Sequence, residues 1–265
     1  MSRTAESKRK PSISVVIPFH NEEKNVKPII EKVYKVFRIH KFNGEILAID
    51  DRSTDSTGLI LRNLKKTIKN LKIVQRSGDA KGIEIGYAIR DGILASKTDT
   101  LTIMMGDQSD DVNDIIKMLK KIDEGYDVVC GSRLIKGSML VNYPKLKLVL
   151  MKAYNKLFSL LFSLPVNDFS NAFKTYRRKV FENIKLESKE FEITAEMLLK
   201  AYISRFKITE VPVKWFNRKS GESKLGAFSI SIEFLLFKLP RIGWRYCVLA
   251  SKLYLKYLYK NLFGT

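Results

Sequence analysis

The sequence predicts an α/β domain on a mostly parallel central sheet, and three observations carry that prediction. Short, continuously apolar, β-branched runs recur, as in "ISVVIPF" (13–19) and "GEILAIDD" (44–51), which is how strands buried on both faces read. Segments with apolar residues at helical spacing lie between them, and such alternation builds a parallel sheet covered by helices. The runs also end on polar clusters: "HNE", "DDRSTD", "GDQSDD" and "GSR". Ligands of such sheets bind at the carboxyl ends of the strands, so four polar strand ends together point to one site.

Each element has its own justification. The run 13–19 is a strand, and "NEEKNVKPIIEKVYKVFRIH" continues as a helix with Val26, Ile29, Ile30, Val33, Val36 and Phe37 on one side. The run 44–51 is the second strand and ends on two carboxylates. "STDSTGLILRNLKKTI" opens with capping residues and reads as a helix. "LKIVQRS" is a third strand, "KGIEIGYAIRDGILAS" a helix, "TLTIMMGD" a fourth strand ending at Asp107, "VNDIIKMLKKIDEG" a helix and "YDVVCGSR" a fifth strand. Beyond residue 133 the pattern loosens. Residues 144–164 form a long apolar helix with basic punctuation, 168–184 a short strand and helix, 191–204 a helix and 207–216 a strand. "NRKSGESKLG" is a polar loop, and Pro240 divides the last stretch, 227–265, into two amphipathic helices.

Composition narrows the partners. The 265 residues include 48 Lys and Arg against 28 Asp and Glu, a formal net charge of +20, with 45% hydrophobic residues. One substantial core and an anionic partner are expected. Nucleic acid is disfavoured because no binding motif appears and the basic residues are dispersed. Cys130 and Cys247 form neither a metal spacing nor a disulfide framework, which suits a reducing, cytosolic-side compartment. The basic, polar residues 1–11 read as a disordered tail and not as a signal peptide. No apolar run reaches the ~18–20 residues that span a bilayer.

Several residues carry candidate chemistry. Asp50 and Asp51 end a buried strand, where a carboxylate either receives a nucleobase or ribose or caps the next helix. Asp107 ends the fourth strand, and Mg²⁺ or Mn²⁺ takes hard oxygen ligands of this kind together with substrate phosphates. Asp110 and Asp111 are expected mainly to start the following helix, where negative charge suits the dipole. Arg133, Arg218 and Lys224 lie in turns and suit phosphate. Glu196, among apolar neighbours on a helix, suits a general base of raised pKa as well as a structural hydrogen bond. No phosphate-cradling G-x-x-x-x-G-K-[ST] and no G-x-G-x-x-G occurs, and His20 and His40 make no metal pair.

Taken in order, "VVIPFHNEE", "IDDRSTDST", "MMGDQSDD", "GSRLIKG", "DFSNAFKTYRR", "FEITAEML" and "EVPVKWFNRKSGESKL" resemble family 2 glycosyltransferases with the GT-A fold, in the branch of dolichyl- and polyprenyl-phosphate sugar synthases. The resemblance covers about residues 12–226. It implies that Pro18, His20, Glu22, Ile49 and Asp51 line the pocket for the donor nucleotide. Gly106 and Asp107 belong to the D-x-D element, with Asp107 as metal ligand and Ser109 beside it. Arg133, Arg218 and Lys224 would hold the donor diphosphate and acceptor phosphate, and Glu196 falls at the position of the catalytic base. The sequence departs from the pattern at three places. His20 replaces an aromatic residue, Arg52 the glycine usual after the two aspartates, and Met105 the first Asp of D-x-D.

The resemblance implies metal-dependent, inverting transfer of a sugar from GDP-mannose or UDP-glucose to a polyprenyl or dolichyl phosphate, with Mg²⁺ or Mn²⁺. Residues 144–164 and 227–263 mix Leu, Phe, Tyr and Trp with Lys and Arg, as interfacial helices do. Peripheral contact at the cytoplasmic face of a membrane is expected, or packing of these faces on the domain or on a membrane-protein partner. The alternatives are a soluble sugar or protein acceptor, for which Glu196 would be needed as base, and a degenerate, non-catalytic module, motivated by Met105.

Overall fold

The structure is a computed structural model that describes residues 12–76, 84–217, 245, 248–255 and 257–259. The expected tail 1–11, the loop residues Arg218 and Lys224, and most of 227–265 lie outside the described residues.

The alternation read from the sequence is present. The strands β1 (Ile13–Phe19), β2 (Gly44–Asp50), β3 (Leu71–Gln75) and β4 (Thr100–Ile103) are separated by the helices α1 (Glu23–His40), α2 (Thr57–Thr67) and α3 (Ile85–Ala95). A 3-10 turn (Val112–Asp114) then leads into α4 (Ile115–Asp123), β5 (Val128–Ser132), β6 (Met139–Val141) and α5 (Lys145–Phe162). The chain ends its described core with β7 (Lys174–Arg177), α6 (Arg178–Asn183), α7 (Ile193–Ile203), β8 (Ile208–Pro212) and β9 (Lys214–Phe216).

Seven strands form one sheet in the order β3-β2-β1-β4-β7-β5-β8. β1 runs parallel to both β2 and β4, and β5 runs parallel to β8. β7 enters antiparallel between β4 and β5. It arrives only after the long excursion through α5, so no local pattern announces its place. The strand read at 207–216 is divided at Val213: its second part, β9, leaves the main sheet to pair with β6.

One sheet face packs against α1, α2 and α4 through Val26, Ile30, Leu61 and Met118. The other packs against α3, α5 and α7 through Ile89, Phe158, Phe162 and Leu198. The chain moves outward from β1 to β3 and then returns to place β4 on β1's other side. That reversal opens a crevice at the carboxyl ends of β1 and β4, where α/β sheets bind ligands.

Candidate active site

The nucleotide side of the crevice is built by two loops that hold each other. Asn21 Oδ1 accepts the Thr54 N–H at 2.8 Å, the Glu22 N–H donates to Thr57 Oγ1 at 2.8 Å, and the Ser56 N–H donates to Glu23 Oε2 at 3.2 Å. His20 Nδ1 donates to the Asp51 carbonyl at 2.6 Å, which fixes that nitrogen as the protonated one. Glu22 is buried and takes the Asn25 amide on Oε2 at 2.6 Å. Pro18 and Ile49 face each other in the β1–β2 register just below these loops.

The two carboxylates of "IDD" divide their roles. Asp50 Oδ1 accepts the Ser53 N–H at 3.0 Å and so braces the turn after β2; it does not cap α2, which begins at Thr57 with Ser56 at its N-cap. Asp51 instead forms an ion pair with Arg76 Nε at 2.8 Å, both side chains being almost wholly buried. Arg76 follows β3 and also lies 3.9 Å from Glu84 Oε2. Sequence reasoning missed Arg76. An arginine just after an expected strand was its only signal, and in so basic a chain that signal is weak.

The metal side is built by residues 104–111. Gly106 is required by close approach: a Cβ there would lie 2.6 Å from the Phe19 ring and 3.0 Å from the Pro18 carbonyl. The chain therefore turns tightly over the end of β1 and presents Asp107, whose Oδ1 accepts the Ser109 N–H at 3.0 Å. Gln108 sits at φ 62° and bridges Lys32 and Asn25, at 2.9 Å to each. Asn21 and Arg52 are also left-handed, at φ 52° and 54°. Each of the three strand-end loops thus holds one non-glycine residue in a conformation that costs about 1–2 kcal/mol. Arg52 stands where the resembling family has glycine, and the φ gives the physical reason for that glycine.

Asp110 requires a correction. It is not a helix-start residue: Asp111 caps the 3-10 turn by accepting the Asn113 N–H at 3.0 Å. Asp110 is buried and bridges to Trp215 of β9. Burial, and then the negative charge of Asp107, raise its pKa to about 7, although Arg133 opposes the shift. Among the described residues, Asp110 Oδ1 and the Ser109 hydroxyl have no hydrogen-bond partner. Met105 packs on the apolar core beside α3, so the second carboxylate near Asp107 is Asp110. The unsatisfied Asp110 Oδ1, the Ser109 hydroxyl and the neighbouring negative charge of Asp107 fit a hard divalent cation. No three His, Cys, Asp or Glu side chains converge on one point among the described residues, which leaves the remaining positions to substrate phosphates and water.

Arg133 follows β5 and is held by Asp168. Its Nε and Nη2 donate to Asp168 Oδ2 and Oδ1 at 2.7 and 2.9 Å, and its backbone N–H adds a third bond at 3.0 Å. Burial alone would raise the Asp168 pKa, but the charge and hydrogen bonds of Arg133 outweigh it and hold the carboxyl below its ordinary value. Arg133 is thus a part-buried cation held in place near Asp110, not a mobile turn residue. Glu196 stands apart from this group. It is fully buried, accepts N–H bonds from Glu187 at 2.9 Å and Ser188 at 2.8 Å, and lies 2.6 Å from Lys200 Nζ.

The model of "Glycosyl transferase family 2" matches residues 14–185, well over half of the chain and all of the loops just described except those after α6. The chain belongs to glycosyl transferase family 2. Across 236 residues it is 29% identical to the polyprenol monophosphomannose synthase of Mycolicibacterium smegmatis, which covers 87% of this chain and 86% of that protein. It is 28% identical over 256 residues to the dolichyl-phosphate beta-glucosyltransferase of Dictyostelium discoideum (88% of this chain, 74% of the relative). A dolichol-phosphate mannosyltransferase of Pyrococcus furiosus is 29% identical over 236 residues, and the match spans 88% of this chain but 64% of that protein. The GT-A architecture is shared with glucosyl-3-phosphoglycerate synthase of Mycobacterium tuberculosis, crystallised with Mn²⁺, UDP-glucose and phosphoglyceric acid. That structure superposes with a TM-score of 0.66 at 14% identity over 92% of this chain and 80% of its own. As a member of this family the chain is an enzyme, a glycosyltransferase.

Proposed function

We propose that this enzyme transfers a hexose from a nucleotide sugar, GDP-mannose or UDP-glucose, to a polyprenyl or dolichyl phosphate, with inversion and with Mg²⁺ or Mn²⁺ bound. The observation that carries the reading is that the loop bearing Asp107, Ser109 and Asp110 and the loop bearing Asp51 both close on the end of β1, the Gly106 backbone against Phe19 and Pro18 and the Asp51 N–H on the Phe19 carbonyl. The named activities of the relatives, matched over most of this chain, support the acceptor class.

Asp107, Asp110 and the Ser109 hydroxyl would hold the cation. Once bound, it neutralises the developing charge of a diphosphate leaving group. Asp51, set by Arg76, would accept hydrogen bonds from the nucleotide, with His20 and Glu22 shaping the same wall. Arg133 supplies a pre-oriented positive charge near the reacting centre, which needs no reorganisation during transfer. Arg218 and Lys224 would hold the diphosphate and the acceptor phosphate. The acceptor oxygen attacks the anomeric carbon as the bond to the diphosphate breaks. A phosphate acceptor is already anionic at neutral pH, so this displacement needs no strong base, and the occupied oxygens of Glu196 accord with that.

The lipid acceptor calls for a membrane-facing surface, and α5 offers one. Met151, Phe158 and Phe162 are buried inward, while Val149, Leu157 and Leu160 are exposed at 62%, 54% and 71%, with Lys145, Lys152 and Lys156 also exposed. No helix among the described residues is long and apolar enough to cross a membrane, so the contact proposed is peripheral, at the cytoplasmic face. The described part of 245–259 packs partly on the domain: Leu253 is buried, and Tyr254 and Tyr257 meet Phe162 at 5.7 and 6.0 Å.

A transfer assay tests the proposal. Protein, Mn²⁺ or Mg²⁺ and vesicles containing polyprenyl phosphate receive radiolabelled GDP-mannose or UDP-glucose, with Asp107→Ala as control. Metal-dependent label in the organic phase, lost in the control, is expected. Label that stays in a water-soluble product would overturn the lipid acceptor in favour of a soluble one.

A further inference from the structure

We propose that Glu196 is a positioning residue for the nucleotide half of the donor site, acting through the strap 186–189 and the start of α3. The inference rests on the donor reading above for Asp51. The carboxylate of Glu196 is wholly buried, and both oxygens are engaged. Oε1 accepts the Glu187 N–H at 2.9 Å and lies 2.6 Å from Lys200 Nζ, while Oε2 accepts the Ser188 N–H at 2.8 Å. α7 thereby holds the strap by its backbone.

The strap's other side is pressed onto α3. The Gly86 N–H donates to the Lys189 carbonyl at 2.8 Å, and Arg90 Nη1 donates to the Leu186 carbonyl at 3.2 Å. A Cβ on Gly86 would lie 2.5 Å from the Ser188 carbonyl oxygen, so the two backbones are already in contact. From α3 the connection continues by charge and stacking. The Arg90 guanidinium lies 4.2 Å from the Tyr87 ring centroid, and Arg76 lies 6.0 Å from the same ring. Glu84, which precedes α3, faces Arg76 at 3.9 Å, and Arg76 holds Asp51 at 2.8 Å. Glu196 therefore secures, through packed backbone, the helix start that flanks the Arg76–Asp51 pair. A buried ion pair keeps its geometry only when its surroundings are fixed.

This role differs in kinetics from that of a general base. Loss of a base lowers kcat, whereas loss of a support for the nucleotide pocket weakens donor binding. The experiment measures the Kd of GDP and UDP by calorimetry, together with kcat, the two KM values and melting temperature, in wild type, Glu196→Gln, Gly86→Ala and the double variant. For Glu196→Gln the nucleotide Kd and donor KM are expected to rise roughly 3- to 30-fold, the range for residues that couple to a site without touching its ligand. The acceptor KM should be unchanged and kcat should stay within about twofold. Gly86→Ala, which wedges the same contact, should reproduce the effect, and the double variant should fall short of the product of the singles. A fall in kcat at unchanged Kd would overturn the proposal and restore the base role. Unchanged Kd and kcat would also overturn it. Should Glu196→Gln fail to fold, Gly86→Ala decides: a raised Kd supports the strap and an unchanged one overturns it. Wild type that binds neither GDP nor UDP would instead overturn the donor reading beneath it.

Discussion

The two walls of the crevice use the same materials and finish them differently. Each has strand-end aspartates, small hydroxyl residues and a left-handed residue that turns the loop. On the β1–β2 wall the polar groups are paired within the protein: Asn21 with Thr54, Glu22 with Thr57 and Asn25, and Asp50 with Ser53 by hydrogen bonds, and Asp51 with Arg76 by a buried ion pair. On the β4 wall the Ser109 hydroxyl and Asp110 Oδ1 have no hydrogen-bond partner among the described residues, and the charge of Asp107 opposes that of Asp110. Buried polar atoms are almost always satisfied, so the unfinished wall is the one that a ligand completes. On this reading the paired cluster gives the nucleotide wall its fixed shape, and the unfinished one is left for the cation to complete.

That comparison predicts that substitutions among tied residues cost stability, while those among untied residues cost turnover. The largest expected effect is Asp168→Ala, which strands the part-buried Arg133 guanidinium and should destabilise by about 3 kcal/mol in urea unfolding. Because Arg133 holds the Asp168 pKa below its ordinary value, this stabilisation is complete above about pH 3.9 and is lost as pH falls through the lower folded value. Asp168→Asn should accordingly unfold less steeply in acid. Next, Asp107→Ala should lower metal-dependent transfer about 10²-fold or more with little change in melting temperature, because relief of the repulsion with Asp110 offsets the lost Ser109 N–H bond. A large loss of stability there would break the comparison. Gly106→Ala lies between the classes. Its Cβ would meet the Phe19 ring at 2.6 Å, so a cost of about 1–3 kcal/mol in thermal unfolding is expected, with transfer falling as the loop shifts. The smallest effect is Arg52→Gly, which removes left-handed strain at φ 54° and should stabilise by up to about 1 kcal/mol without loss of nucleotide binding.

The strands and the polar ends of β1, β2, β4 and β5 were legible because both are local. A run such as Ile13–Phe19 announces a doubly buried strand by itself, and Asp107 announces a strand end by following one. Partners distant in sequence were not legible. Arg76 reads as one more cation until β3 is laid beside β2. Asp110 reads as a helix start until β9 covers it and the neighbouring charge of Asp107 is fixed. Arg133 reads as a phosphate-binding turn residue until the Asp168 loop closes on it.

By itself the sequence determined the α/β class, the helical and strand periods, the strand ends that carry the site and, through its ordered motifs, the glycosyltransferase family. The tertiary structure alone decided that β7 runs antiparallel between β4 and β5, that Asp51 pairs with Arg76, that Asp110 joins Asp107, and that Glu196 spends its oxygens on the strap 186–189. The physical reason is range. Period and capping arise from bonds within a few residues, whereas burial, ion pairing and the charge a carboxylate carries depend on what the rest of the chain brings beside it.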